Sequence, residues 1–153
     1  MSHDFPEVGE QAPDFELPAV GDTRIRLSDY VGKRNVIVSF HPLAWTGVCA
    51  AQMQDLEEHA QTFTDTDTVA LGISVDSVPT KKAWAESLGV THVEFLSDFE
   101  PKGEVAKRYR IYREEGFSER AVFVVDKEGI IRFAKVYPIK EKPDLTEILP
   151  LLG

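Results

Sequence analysis

The sequence has a single cysteine, Cys49, among 153 residues. One cysteine excludes an intrachain disulfide. Four histidines and one cysteine, with no C-x-x-C or H-x-x-x-H spacing, exclude a cysteine-rich zinc site. No metal or other cofactor is expected. Basic charge is scarce: Lys and Arg total 17 against 26 Asp and Glu, a net charge of −9. That balance argues against nucleic acid or an anionic membrane as partner. No apolar run approaches the roughly 20 residues that span a bilayer. The first residues, Met1-Ser2-His3-Asp4-Phe5-Pro6-Glu7, lack the basic and apolar regions of a secretion signal. Repeats, low-complexity segments and a dividing linker are absent too. Together these point to a soluble, cytoplasmic protein in a reducing compartment.

Hydrophobic residues make up 42% of the chain and charged residues 28%, ordinary values for a globular protein. The length suits one domain over residues 1–153, able to bury a core without staples. Residues 1–13 are expected along the surface. The alternation in Phe15 to Leu17 and Arg24 to Leu27, about Gly21-Asp22, predicts an N-terminal hairpin. Short apolar runs at Val36 to Phe40, Val69 to Val75 and Ala121 to Val125 predict strands covered on both faces. Glu94 to Leu96 reads as a short strand, and Ile130 to Val136 as a hairpin partner after the turn Asp126 to Gly129. Helical spacing runs from Thr46 to about Phe63, from Val78 to Leu88, from Lys102 to Tyr109 and from Leu145 to Leu152. Pro79 suits a first helical turn and Gly89 a helix end. This order predicts an α/β fold, a central mixed sheet with helices on both faces.

The informative stretch is Phe40-His41-Pro42-Leu43-Ala44-Trp45-Thr46-Gly47-Val48-Cys49. It leaves a buried strand, passes through a Pro-containing loop and places Cys49 in the first turn of a helix. Free backbone N–H groups and the helix dipole there favour thiolate over thiol, and thiolate is the reactive form. A lone cysteine can equally be an inert small hydrophobe. Thr46, at the N-cap, can accept from a first-turn N–H or bond the sulfur or a substrate. Pro42 either stops the strand or forms a rigid wall that keeps water off the sulfur.

Pro42-x-x-x-Thr46-x-x-Cys49 is the P-x-x-x-T-x-x-C pattern of peroxiredoxins, and the chain resembles that AhpC/TSA family along nearly its whole length. Ala12-Pro13-Asp14-Phe15 and Ser118 to Asp126 followed by Gly129-Ile130-Ile131-Arg132 fit the family as well. Pro42 to Gly47, Leu96-Ser97-Asp98-Phe99 and Gly129 to Ala134 make it most similar to the one-cysteine, AhpE-like subgroup.

The resemblance implies a thioredoxin-like fold and peroxide reduction by Cys49, with Pro42, Thr46 and Arg120 completing the site. Arg120 would then lower the thiol pKa and hold the charge that develops on the leaving oxygen. The Thr46 hydroxyl and the N–H groups of Val48 and Cys49 would orient the two peroxide oxygens. With no second thiol in the chain, an external thiol or redoxin must complete the cycle. A homodimer is implied, with Leu43 and Trp45 offering apolar surface.

Two positions depart from the family pattern. Gln52 stands where many relatives have an acid, so it can accept from Arg120 without charge. His41 precedes Pro42 where an aromatic is usual; it is either a base near the sulfur or a satisfied strand-end residue. Glu119 either orients Arg120 or faces solvent, and Trp84 is expected to pack. Two other readings compete. One is a thioredoxin-like sensor that passes Cys49 oxidation to a partner without turnover. The other is a Cys–His hydrolase using His41.

Overall fold

The computed structural model describes residues 5–152. The leaderless start read at Met1 to Asp4 lies outside them. Seven strands form one mixed sheet in the order β2-β1-β5-β4-β3-β6-β7. The strands are β1 (Glu16–Ala19), β2 (Thr23–Arg26), β3 (Asn35–Phe40), β4 (Thr68–Ser74), β5 (Glu94–Ser97), β6 (Arg120–Val125) and β7 (Ile131–Tyr137). β3, β4 and β5 run parallel, while β6 pairs antiparallel with β3 and β7. The helices are α1 (Gly47–Glu58), α2 (Ala60–Asp65), α3 (Val78–Leu88) and α4 (Glu104–Arg108). This is the α/β arrangement expected from the element order, and the thioredoxin-like fold that the resemblance implies.

Every residue of β3 and β6 is buried, which accounts for their unbroken apolar runs. The sheet separates two cores. Val36, Val38, Phe40, Phe123 and Tyr109 fill one side. Ile37, Met53, Trp84, Phe95, Val122 and Val124 fill the other, and Cys49 belongs to that second core. Strand alternation therefore sends Ile37, Ser39 and His41 of the β3 run toward Cys49, together with Arg120 of β6.

Two expectations need correction. The helix from Thr46 to Phe63 breaks at His59, whose backbone lies at φ −98°, ψ 13°, so α1 and α2 are separate. The helix expected from Leu145 to Leu152 is two 3-10 turns, Leu145–Glu147 and Leu149–Leu151. Pro150 lacks the N–H that a continuous α-helix would need there. The described part of the N-terminal stretch runs along the surface as expected, with Glu7, Val8, Gly9, Glu10 and Gln11 exposed. Gly9 N–H and Ala12 N–H donate to the carbonyls of Ile131 and Gly129, and Ile131 N–H donates to Glu10, so this stretch is tied to the β6–β7 turn. The expected N-terminal hairpin forms, β1 against β2, and Val20 N–H donates to Phe95 O while Ala19 pairs with Leu96, which joins it to the main sheet.

Candidate active site

Pro42 is buried at the end of β3 and turns the chain away from the sheet. The loop that follows is held at both ends. Ala44 N–H donates to Asp76 Oδ2 at 2.7 Å, and Ser118 Oγ donates to the His41 carbonyl at 3.3 Å. Ser74 Oγ also donates to Asp76 Oδ2, at 2.7 Å, which fixes the carboxylate under the loop. Trp45 takes a left-handed conformation, φ 69°, although it has a bulky side chain, and its ring is 55% exposed. Such a conformation costs about 1–3 kcal/mol and persists only where neighbours enforce it. Here the Thr46 hydroxyl donates to the Leu43 carbonyl at 2.9 Å and closes the turn over Trp45.

Thr46 is the N-cap of α1, but its side chain caps no first-turn N–H. The capping bond open to it in the sequence is thus replaced by the bond to Leu43. The N–H groups of Gly47, Val48 and Cys49 keep their first-turn position, where a helix leaves its amides available. Cys49 itself is free and fully buried, 0% exposed.

Arg120 reaches Cys49 from the facing strand. Its Nη1 lies 3.2 Å from Sγ and donates to Gln52 Oε1 at 2.7 Å. The rest of the guanidinium is fixed by the Ile139 carbonyl, which accepts from Nε at 3.0 Å and from Nη2 at 2.8 Å. Gln52 is held in turn: its Nε2 donates to Ser39 Oγ at 2.6 Å and to the Phe40 carbonyl at 3.2 Å. The neutral amide therefore links Arg120 to β3, and a backbone carbonyl rather than a carboxylate anchors the fork.

The geometry brings Pro42, Thr46, Val48, Cys49 and Arg120 to one place, where α1 starts above β3 and β6. Glu119 does not orient Arg120; it accepts from Arg113 Nη1 at 2.6 Å. Trp84 packs as expected, 1% exposed. His41 is not the base of a Cys–His pair. Its ring packs at a tilt against Trp84, its Nε2 stands 3.4 Å from Lys81 Nζ, and its Nδ1 is buried without a partner. So it is also not a satisfied strand-end residue. Four contributors escaped the sequence reading: Ser39, Asp76, Lys81 and the Ile139 carbonyl. The β3 alternation was a usable signal for Ser39. A backbone acceptor two residues past β7 leaves none.

Among the described residues, no group of three or more His, Cys, Asp or Glu is placed to hold a metal ion, and no helix is long and apolar enough to cross a membrane.

Comparisons with known proteins identify the family. The AhpC/TSA family model matches residues 8–134. Alkyl hydroperoxide reductase E of Mycobacterium bovis is 43% identical over 130 residues, 84% of this chain and 84% of the relative. The chloroplastic 2-cysteine peroxiredoxin of Chattonella marina var. antiqua is 36% identical over 152 residues, 95% of this chain and 78% of the relative. Among solved structures, reduced Plasmodium vivax 2-Cys peroxiredoxin superposes with a TM-score of 0.87 at 28% identity, over 94% of this chain and 79% of that one. Enterococcus faecalis AhpC gives a TM-score of 0.84 at 28% identity, over 95% and 89%. On this sequence match, shared fold and single free cysteine, the chain belongs to the AhpC/TSA family, as a one-cysteine peroxiredoxin and so a thiol-dependent peroxidase.

Proposed function

We propose that the chain reduces hydrogen peroxide and organic hydroperoxides at Cys49, and that Pro42, Thr46, Val48 and Arg120 complete the site. The observation that carries this reading is the 3.2 Å approach of Arg120 Nη1 to Cys49 Sγ. The Cys49 thiolate attacks one peroxide oxygen; the S–O bond forms as the O–O bond breaks. The second oxygen leaves with the electron pair and takes a proton to become water or an alcohol. Arg120, already held by Gln52 and Ile139, offers N–H donors to that developing charge without first having to reorganise. The first-turn N–H groups of Val48 and Cys49 and the exposed Thr46 hydroxyl orient the oxygens. Burial of Pro42 and Cys49 keeps bulk water away, which strengthens each of these interactions.

Attack leaves Cys49 as a sulfenic acid. The chain has no second cysteine. An external thiol or redoxin therefore condenses with the sulfenic acid, releasing water and forming a mixed disulfide. A second external thiol frees Cys49 and carries the disulfide away. The exposed Trp45 and half-buried Leu43 support a homodimer joined along this loop, and the setting that suits an external-thiol cycle is a reducing cytoplasm.

Stopped-flow tryptophan fluorescence on mixing reduced protein with hydrogen peroxide and a series of alkyl hydroperoxides tests the reading. Trp45 beside the site is the natural reporter. A fast phase whose rate rises with peroxide concentration and vanishes in Cys49→Ser is expected. A wild-type signal that does not change would overturn the assignment.

A further inference from the structure

Lys81, on α3, is fully buried at 0% exposure. Its ammonium nitrogen donates to the Gly72 carbonyl at 3.0 Å, stands 3.4 Å from His41 Nε2 and lies 5.3 Å from the Phe95 ring centroid. None of these three neighbours is an anion. His41 is equally buried, its ring tilted against Trp84 at 5.2 Å and against Phe95 at 6.4 Å, centroid to centroid. Burial, and then the charges of Lys81 and Arg120, hold its pKa well below the ordinary value, so the ring is neutral. A neutral imidazole that accepts at Nε2 carries its proton on Nδ1, the nitrogen with no partner. A Met or Leu would fill this position without the cost of burying an amine. The polar pair thus needs a reason other than packing.

The charges around it supply one. Burial drives the Lys81 pKa down to about 7, opposed by Asp76, Cys49 and Asp98 in that order. Asp76 is occupied by Ala44 N–H and Ser74 Oγ. Asp98 accepts from the N–H groups of Val105 and Ala106. Both carboxylates are thus tied to backbone or hydroxyl donors, although burial raises the Asp98 pKa. Gly72, which accepts from Lys81, pairs with Ser39 of β3, and the Ser39 hydroxyl accepts from Gln52, three residues after Cys49, so the ammonium sits one strand away from the residues that hold Arg120 at the sulfur. Cys49 is the group there whose charge changes during the reaction.

We propose that Lys81, with neutral His41 as its acceptor, is a buried cation that acts as a positioning residue for the active site, favouring the thiolate form of Cys49 from beneath the loop. This rests on the reading of Cys49 as the peroxide-reactive sulfur. The coupling is reciprocal by linkage: a thiolate at Cys49 favours the ammonium, and the ammonium favours the thiolate. When oxidation turns the thiolate into a neutral sulfenic acid, Lys81 loses that support and its proton occupancy falls. The device responds to the redox state of the site without touching substrate.

The test is the pH profile of Cys49 alkylation by iodoacetamide, in wild type, Lys81→Met and His41→Phe. Lys81→Met should move the midpoint to higher pH by about one unit. Alkylation should slow several-fold on the acidic side of the profile and match wild type on its alkaline plateau. His41→Phe should shift it the same way by less. An unmoved midpoint, or an equal loss at every pH, in a variant with native circular dichroism would overturn the proposal. A second measurement does not depend on that variant folding. In protein carrying 13C-labelled lysine, the Lys81 titration should move to lower pH in Cys49→Ser, and an unchanged titration would overturn it. A wild-type thiol inert to peroxide would overturn the peroxidase reading alone, because the alkylation profiles still decide the coupling.

Discussion

Arg120 Nη1 stands 3.2 Å from Cys49 Sγ while donating to Gln52 Oε1 at 2.7 Å, so one nitrogen joins the sulfur to an amide on the same helix. Cys49 and Gln52 are three residues apart on α1, and one guanidinium spans both. The remaining donors close on a single carbonyl, Ile139. The fork is therefore fixed before any substrate arrives.

Removing it should be costly. Arg120→Ala is expected to slow Cys49 oxidation by on the order of a hundredfold, the usual loss of one preorganised donor to developing charge. Arg120→Lys should recover little, since one ammonium cannot reach the sulfur, Gln52 and Ile139 together. Second-order rates of oxidation by hydrogen peroxide check this; a wild-type rate in Arg120→Ala would show that the arginine does not serve the reaction.

Gln52 is the link between Arg120 and β3. Gln52→Leu leaves the Ser39 hydroxyl, the Phe40 carbonyl and one Arg120 N–H with a missing partner in a buried place. A loss of about 1–3 kcal/mol in urea unfolding is expected for stranded buried polar groups, along with slower oxidation as Arg120 loosens. Unchanged stability and rate together would mean that the amide chain contributes nothing.

Much of this was legible in the residues. The runs Val36 to Phe40 and Ala121 to Val125 betray strands buried on both faces; that Ser39 and Arg120 share a face follows only from the β3–β6 register. The Pro42, Thr46 and Cys49 spacing marks the loop and helix start. What stayed hidden depends on contacts between segments distant in sequence. Asp76 reads as a helix-start residue, yet its carboxylate binds Ala44 N–H, 32 residues away. Lys81 and Lys82 are neighbours of one type, and only the fold shows that Lys82 is exposed while Lys81 is buried. The break at His59 and the 3-10 turns near Pro150 reflect local backbone geometry that apolar spacing does not encode.

Lys81 should also leave a mark on stability. Its pKa falls from an ordinary 10.5 to about 7 in the folded chain. Between those values the unfolded chain holds a proton that the native state releases, so this group makes stability rise with pH across that window. Below pH 7 the cost of the buried charge is fully present. Lys81→Met removes it, and should stabilise the protein at pH 6 by a few kcal/mol more than at pH 10. Urea unfolding at the two pH values measures the difference; equal effects at both would contradict a titrating buried amine.

The missing second thiol sets the fate of the oxidised site. Peroxide supplied without thiol should carry the sulfenic acid on to sulfinic acid and inactivate the protein progressively. A small thiol present from the start should divert it to a mixed disulfide that a redoxin then removes. Steady turnover on a non-thiol reductant such as ascorbate would contradict the thiol requirement.

The central claim is that the sulfur of Cys49 takes an oxygen from peroxide. Intact-mass measurement after one equivalent of hydrogen peroxide, in wild type and Cys49→Ser, tests it most directly. The account predicts a gain of one oxygen in the wild type, trapped by a sulfenic-acid reagent such as dimedone, and no gain in the variant. A wild-type mass that stays unchanged, or an equal gain in Cys49→Ser, would contradict it.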